Sequence, residues 1–391
     1  GTSTNLGLTD YDWKSYKAEL TGVDKLTFTV PQLPNDIDSK VSSVRMRKAT
    51  YNVTYTFYKQ DGSTMTVDKS YEASAQEKSE ECSFPENVGN PARIDYKVSV
   101  THGVKDPDNW FNVQTNTVTK ENAFKLIPVP GTITTEYRQF AHQTVMTWTT
   151  PAGSNYWKVT PYIYRIETDA KGNKKSGSSW SKRGSLGSTS GGGLSFTDDD
   201  ANIGTYYQYM VANVPTDFIG NGIIESSLNN PTDELLAKLG CTTSSVVNTA
   251  PSVTIYNLRQ DSTVKDHVRF TWQYSRVPVT DATVSFTVLR SIGNDSWENL
   301  TSVSGDTKPA AEAKLAFEDS NLPNSTVRYL YKVRLELAGG YRFESDAVSA
   351  GASDSTTIKT FSATKGTHDG SVTLSWTASQ VGTNNSTYVI S

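Results

Sequence analysis

Apolar and polar residues alternate in short stretches along the chain, and four of these stretches repeat one pattern. Residues 145–151 read Val-Met-Thr-Trp-Thr-Thr-Pro, and a tryptophan recurs in the same setting at 268–272 and 372–376. A weaker copy at 26–31 has a phenylalanine in place of the tryptophan. Alternation around one large aromatic residue is typical of a strand with one face on a core and the other in water. The pattern predicts an all-β chain of antiparallel strands.

The copies recur at domain-sized intervals, which predicts three full domains and one fragment. We expect a divergent β-sandwich at 1–126, a second sandwich with a loop and a short-helix insertion at 127–248, a third at 249–353 and a partial repeat at 354–391. Residues 126–131, Leu-Ile-Pro-Val-Pro-Gly, form the predicted first linker, and their two prolines favour a stiff joint. About 35 residues cannot close a sandwich core, so we expect the fourth repeat to supply only two or three strands.

The alternation also places the individual strands. In the first repeat we expect strands at 26–30, 49–59, 65–69 and 94–100, with a hairpin at Asp61-Gly62. In the second repeat we expect them at 145–148, 157–167, 180–186, 194–197 and 206–213. In the third repeat we expect them at 253–258, 267–273, 283–291, 297–303, 314–318 and 327–337.

Residues 231–240 begin with proline and acids and end with lysine and glycine, which predicts a short helix. The Gly/Ser tract at 184–193 predicts a mobile loop, with a recognition loop as the alternative.

Composition narrows the classes of partner. The formal charge is −4, and lysine and arginine form no long run, which disfavours nucleic acid. No run of 18 apolar residues is present, so we expect no membrane insertion by this segment. The start Gly1-Thr2-Ser3 lacks a leader and suggests an excerpt of a longer protein.

The two cysteines, Cys82 and Cys241, fall in different repeats. A disulfide framework needs even pairs within each small domain, so we expect both to be unpaired. Cys82 would then lie near a strand and Cys241 at the end of the short helix, with a cross-domain bridge as the alternative. Neither has a second Cys or His at the spacing of metal ligands, which disfavours metal binding by either cysteine.

The second and third repeats share further motifs. Phe196-Thr197-Asp198-Asp199 precedes a tyrosine-rich strand, and Phe317-Glu318-Asp319 precedes another. With these motifs the chain resembles tandem fibronectin type III modules of bacterial extracellular proteins. The resemblance implies a seven-strand sandwich whose core tryptophan corresponds to Trp148, Trp272 and Trp376, and whose sixth-strand tyrosines correspond to Tyr207, Tyr209, Tyr329 and Tyr331. The first repeat departs from the pattern, with Phe28 for the tryptophan, and a more distant immunoglobulin-like sandwich is its alternative. In this family these motifs imply packing and no chemistry.

No residue pattern indicates a catalytic site, a cofactor or a metal. The histidines, His102, His142, His267 and His368, have no His or Cys three to five residues away and are interpreted as polar residues at strand ends. The run Asp198-Asp199-Asp200 offers only part of a calcium shell, so capping of a turn is the favoured interpretation and calcium the alternative.

Trp110, Phe111, Tyr156 and Trp157 are the aromatic residues that the repeat pattern explains least. Exposed flat rings can stack on sugars, and clustered apolar surface marks binding sites. Trp110 and Phe111 are therefore the candidate ligand-binding residues. The alternative for both pairs is packing at a domain joint or along a sandwich edge.

These observations favour a non-catalytic structural or binding segment of a secreted or surface-anchored protein. Its modules would space or present an adhesive or ligand-binding surface, with a protein or glycan at the cell surface as partner. The alternative is an accessory, carbohydrate-contacting or spacer region of an extracellular polysaccharide-degrading enzyme. A weaker third hypothesis is an enzyme in its own right.

Overall fold

The computed structural model describes residues 10–34, 46–106, 109–264, 267–293, 295–323, 327–351 and 357–379. In these ranges nearly all regular structure is β-strand, arranged in several antiparallel sheets, so the predicted all-β class is confirmed. The chain divides into two compact units, one with Gly1–Arg138 and His142–Thr249 and the other with Gln139–Ala141 and Ala250–Ser391. Within the described ranges, no helix has the length and apolar character that a bilayer crossing requires.

The first part of the first unit precedes the linker at 126–131, and its described residues form seven strands in two sheets. The strands are β1 (Lys17–Gly22), β2 (Lys25–Val30), β3 (Met46–Tyr58), β4 (Thr64–Glu72), β5 (Lys78–Ser83), β6 (Arg93–Asp106) and β7 (Asn109–Lys120). One sheet has the order β1-β2-β5 and the other β4-β3-β6-β7. Phe28 of the smaller sheet and Tyr51 and Val98 of the larger one are fully buried in a shared core.

The β3–β4 hairpin shows how the sequence sets this register. Tyr51, Val53, Tyr55 and Phe57 alternate along β3 and are all buried. The chain then reverses at Gly62, whose φ of 86° suits glycine. The amide of Lys59 donates to the carbonyl oxygen of Ser63 across the turn at 2.8 Å. The predicted hairpin is confirmed.

The second part of the first unit follows the linker at 126–131 and repeats the strand order of the first part. Its strands are β8 (Thr134–Arg138), β9 (Gln143–Thr150), β10 (Val159–Thr168), β11 (Ser181–Ser185), β12 (Gly192–Asp198), β13 (Tyr206–Pro215), β14 (Gly240–Thr243) and β15 (Val247–Asn248). One sheet is β8-β9-β12, and the other is β11-β10-β13-β14 with β15 also paired to β13. The predicted short helix is confirmed as α1 (Asp233–Ala237), where Thr232 Oγ1 accepts a hydrogen bond from the amide of Leu235.

The larger sheet of this part has a covered outer face. Trp148 and Met146 of β9 pack on one face, together with Ile163 and Tyr209. Residues 216–239 cover the opposite face, where apolar side chains form a second core: Tyr164, Val214, Phe218, Leu228 and Leu236. This double coverage explains why β10 and β13 are buried almost continuously instead of at alternate positions.

The prediction for Cys241 is wrong. Cys241 lies in β14 and not at the end of the helix, because the chain pairs with β13 from Gly240 onward. The tract 184–193 has its ends in β11 and β12, and its mobility stays a prediction. The middle of the tract pairs with β10, because the backbones of Val159 and Thr189 exchange hydrogen bonds of 3.0 and 2.8 Å.

The second unit contains the third occurrence of the strand order. Its strands are β16 (Ile255–Gln260), β17 (Val268–Tyr274), β18 (Thr283–Ser291), β19 (Glu298–Asp306), β20 (Leu315–Asp319), β21 (Tyr329–Leu337), β22 (Tyr341–Glu344) and β23 (Val348–Ala350). The sheets are β16-β17-β20 and β19-β18-β21-β22, with β23 also paired to β21. Trp272 is fully buried in their common core.

Two further strands, β24 (Thr357–Lys365) and β25 (Val372–Ser379), form a two-stranded sheet. Phe361 lies opposite Trp376 across this pair. Phe361 is 61% exposed and Val372 is 65% exposed, in contrast to the buried positions on β17. Two strands are described for the partial repeat, as the sequence predicts, and residues 380–391 lie outside the described ranges. The four-domain division itself stays a prediction.

Candidate functional site

The two candidate binding residues lie at the start of β7. Trp110 is opposite Lys105 of β6, and its side chain is 39% exposed. Phe111 is opposite Val104, but its side chain lies outside the described part of the structure. The register of β6 and β7 then shifts, and Asn112 takes a φ of 51°. A bulge of this kind redirects neighbouring side chains, and the partly exposed Trp110 lies beside it.

Tyr156 and Trp157 lie at the joint between the two parts of the first unit, as the joint-packing alternative predicts. The amide of Leu126 donates to the carbonyl oxygen of Asn155 at 2.8 Å, and the amide of Trp157 donates to that of Leu126 at 2.9 Å. The Tyr156 ring packs against the core of the first part, whereas the Trp157 ring centroid is 5.0 Å from that of Phe218. The two adjacent aromatic residues therefore connect the two cores.

The linker beyond Leu126 is held by side chains from both parts. Asn90 Nδ2 donates to the carbonyl oxygen of Ile127 at 3.1 Å, and Asn213 Nδ2 donates to that of Pro128 at 2.8 Å. Both asparagines are buried, and Asn213 is 0% exposed. Thr242 Oγ1 donates to the carbonyl oxygen of Pro130 at 2.5 Å. These three anchors, on the carbonyls of residues 127, 128 and 130, add to the stiffness that the two prolines give the backbone.

A shallow cavity of about 520 Å³ lies beside this joint. Val88, Val129 and Leu239 contribute apolar surface to it, and Lys59 and Asp61 contribute polar groups. Cys241 also lines the cavity, but its thiol donates to the carbonyl oxygen of Leu236 at 3.4 Å. Burial raises the pKa of Cys241 to about 12, so the reactive thiolate is disfavoured near neutral pH. Cys82 is likewise a free thiol, and burial raises its pKa too.

Asp198 is the centre of a buried polar cluster. Its carboxylate accepts hydrogen bonds from Arg165 Nη1 at 2.8 Å, from Arg183 Nε at 3.2 Å and from the Tyr209 hydroxyl at 2.6 Å. Burial alone would raise the pKa of Asp198, but the tyrosine and the two guanidinium groups outweigh it and lower that pKa. Burial and the bond to Asp198 raise the pKa of Tyr209. The cluster joins β10, β11, β12 and β13.

Asp319 occupies the equivalent place in the second unit. Its Oδ2 accepts from Arg290 Nη1 at 2.7 Å and from the Tyr331 hydroxyl at 2.7 Å. Arg290, 6% exposed, also donates to Glu298 at 3.0 Å. The register is equivalent as well, because Arg165 pairs with Tyr209 in one unit as Arg290 pairs with Tyr331 in the other.

The arginines of these clusters are the residues that sequence reasoning missed. A signal for them exists, since one arginine falls in the strand after each core tryptophan, at Arg165 and Arg290. In the first part of the first unit the paired positions are Tyr55 and Tyr96, two tyrosines in place of the arginine and the tyrosine.

Asp198, the first residue of the acidic run, binds groups of this chain. Asp198 Oδ1 accepts from the amide of Asp200 at 3.4 Å, and Asp319 Oδ1 accepts from the amide of Asn321 at 3.3 Å. The turn-capping interpretation is confirmed, with the arginine pairs in addition. Among the described residues, no group of three or more His, Cys, Asp or Glu side chains is arranged to hold a metal ion.

The histidines have separate environments. His142 and His267 precede β9 and β17 directly, at strand ends as predicted, and His267 Nε2 lies 3.5 Å from Glu318. His368 lies in the turn between β24 and β25. The prediction for His102 is wrong, because His102 lies within β6, buried beside the ring of Tyr11. Burial lowers the pKa of His102 and so favours its neutral form.

Comparison with known proteins assigns no family. No family model matches the chain, and no curated protein matches it. Its function is therefore inferred from the contacts described above.

Proposed function

We propose that the chain is a non-catalytic segment of a secreted or surface-anchored protein, built from tandem fibronectin type III-like, or immunoglobulin-like, sandwiches. The recurrence of one strand order supports this proposal. In each of three successive regions the first, second and fifth strands share one sheet, and the third, fourth and sixth share the other. Two antiparallel sheets over a core with this kind of connection are the architecture of such sandwiches. Within this proposal the modules space or present a surface that binds a protein or glycan.

The anchored linker is the observation that carries the proposal. A flexible joint would let neighbouring modules turn independently, which is the usual behaviour of domains with small interfaces. Here Asn90, Asn213 and Thr242 bind three of the linker carbonyls, at residues 127, 128 and 130. Lys238 Nζ lies 2.7 Å from Asp24 across the same joint. A joint held in this way keeps a binding surface at a fixed distance and orientation, as a presenter requires.

Stretching of single molecules tests the spacer role. A chain that presents a ligand under tension resists unfolding, and each sandwich opens as one event that releases roughly 350 Å of extended chain. We expect separate events of about this length. Extension without such events, or turnover of a substrate by this chain alone, would contradict the proposal.

The alternative is an accessory region of a polysaccharide-degrading enzyme, and the exposure of Trp110 favours it. A partly exposed indole ring can stack on a sugar ring. A glycan array distinguishes the two hypotheses. Tight binding that Trp110→Ala abolishes, while Trp13→Ala leaves it intact, would support the carbohydrate-contacting region over the spacer.

A further inference from the structure

The outer edge of β7 is the longest sheet edge among the described strands. β7 is the last strand of the order β4-β3-β6-β7 and runs from Asn109 to Lys120. An edge strand has a row of backbone donors and acceptors that can pair with another strand. Proteins commonly protect such edges with charges, prolines, β-bulges or short strand length. β7 has no charged residue and no proline before Lys120, and its bulge lies near its start, before Gln114.

The opposite edge of the same sheet shows the difference. β4 reads Thr-Met-Thr-Val-Asp-Lys-Ser-Tyr-Glu and has Asp68, Lys69 and Glu72 along it. Charges on an edge strand oppose addition of a further strand. The two edges of one sheet are thus chemically different, and only β7 is suited to extend it.

The side chains on the exposed face of β6 and β7 indicate which kind of strand could pair with the β7 edge. Thr115 Oγ1 lies 3.2 Å from Thr101 Oγ1, and Thr117 Oγ1 donates to Ser99 Oγ at 3.4 Å. These hydroxyl pairs run across the exposed face towards the edge. Threonine pairs across strands stabilise a sheet, so a matching strand would supply further threonines at the same spacing.

We propose that β7 pairs antiparallel with β7 of a second copy of this chain, about a two-fold axis at Asn116, to form one continuous eight-stranded sheet. This register places Thr115 opposite Thr117 of the other copy and Gln114 opposite Val118, within the regular part of β7 that follows the bulge. Hydroxyl pairs are then present on both sides of the junction between the two copies. Lys120 lies beyond this paired stretch, so that no two like charges meet. The proposal does not depend on the spacer role.

A pair of double variants tests both the pairing and its register. In Thr115→Lys/Thr117→Lys, each lysine faces a lysine of the other copy, and like charges directly opposite destabilise a sheet. In Thr115→Lys/Thr117→Glu, each lysine faces a glutamate, and the pairing is kept. Thr64→Lys/Thr66→Lys places the same two charges on exposed positions of β4 and is the matched control.

Sedimentation equilibrium of the full chain over a range of concentrations gives the dimer dissociation constant of each protein. We expect a reversible wild-type dimer, at least about tenfold weaker dimerisation of the Lys/Lys variant, and near wild-type dimerisation of the Lys/Glu variant and of the β4 control. Equal thermal unfolding temperatures show that each variant is folded.

Three results would overturn the proposal. One is a wild-type chain that stays monomeric at about millimolar concentration, where even weak association is detected. Another is a Lys/Lys variant that dimerises as well as the β4 control. The third is equal weakening by the Lys/Lys and Lys/Glu variants, since the proposed register predicts weakening by the Lys/Lys variant alone. If a monomeric wild-type chain bound an added extended peptide, the partner of the β7 edge would be a different protein and not a second copy of this chain.

Discussion

Asp198 shows how a single residue organises its surroundings. A carboxylate that is 2% exposed has lost its water and needs donors in place of it. Arg165, Arg183 and Tyr209 supply them, and the removal of one partner from such a cluster leaves the others buried and unsatisfied. Asp198 therefore has a larger effect on stability than its acidic neighbours in sequence.

Replacement of this carboxylate tests that difference. We expect Asp198→Ala to lower the free energy of unfolding by about 3–5 kcal/mol, because it leaves guanidinium charge buried without its partner. Asp199→Ala, at the next and exposed position, is the control and should change the free energy by less than about 0.5 kcal/mol. Urea denaturation measures both. Similar losses in the two variants would mean that the cluster contributes no specific stability.

The same residue predicts a response to acid. The pKa of Asp198 in the fold is below its ordinary value of 3.8, so the unfolded chain takes up a proton first as the pH falls. The stability that this residue contributes is complete above pH 3.8 and is lost as the pH falls through the folded pKa. Between pH 6 and about pH 3, the wild type should lose more free energy of unfolding than Asp198→Asn. Parallel pH profiles of the two proteins would contradict this assignment.

The residue scale is also where sequence reasoning is least complete. The buried tryptophans at 148 and 272 follow from alternation and burial of large aromatics. The pairing of Arg165 with Asp198 does not, because it joins residues on different strands and depends on sheet register. Phe111, a candidate from sequence, has no described side chain that could test its role.

At the scale of elements, alternation predicts most strands because one face of each meets a core. Where both faces are covered, it locates the strand but fails to show the second buried face. Residues 216–239 lie over β10 and β13, which makes their burial continuous and hides the two-residue period. The assignment of Cys241 to a helix end fails for another reason. A short helix leads directly into an edge strand there, and the pairing partner that decides this, β13, is distant in sequence.

The contact between the linker and β14 gives an element-scale prediction. A side chain at Gly240 would run into the carbonyl group of Pro128, far inside van der Waals contact. Gly240→Ala should therefore push the linker away from β14 and destabilise the first unit by about 1–3 kcal/mol. The matched control is Gly187→Ala, where a Cβ meets nothing within 4 Å. Thermal unfolding that ranks Gly187→Ala as the more harmful change would contradict the packed joint.

At the scale of the whole molecule, the recurrence of one strand order follows from the repeat of one sequence pattern. The spacing of the aromatic anchors indicates the repeat, but not the way in which successive repeats are connected. That depends on side chains such as Asn90 and Asn213, which look like ordinary polar residues until their linker partners are known. The linker prolines predict stiffness, and the buried amides add a fixed geometry to it.

The central claim is that the two parts of the first unit are held as one body, and a distance measurement by pulsed electron paramagnetic resonance tests it most directly. Spin labels on Ser70→Cys and Ser176→Cys, both exposed, report the separation of the two parts. The raised pKa values of Cys82 and Cys241 disfavour labelling of the native thiols. Labels on Ser70→Cys and Glu121→Cys, within the first part, give the width expected of a rigid body. The account predicts one distance distribution as narrow as this reference. A broad or multiple distribution for the first pair alone would contradict it.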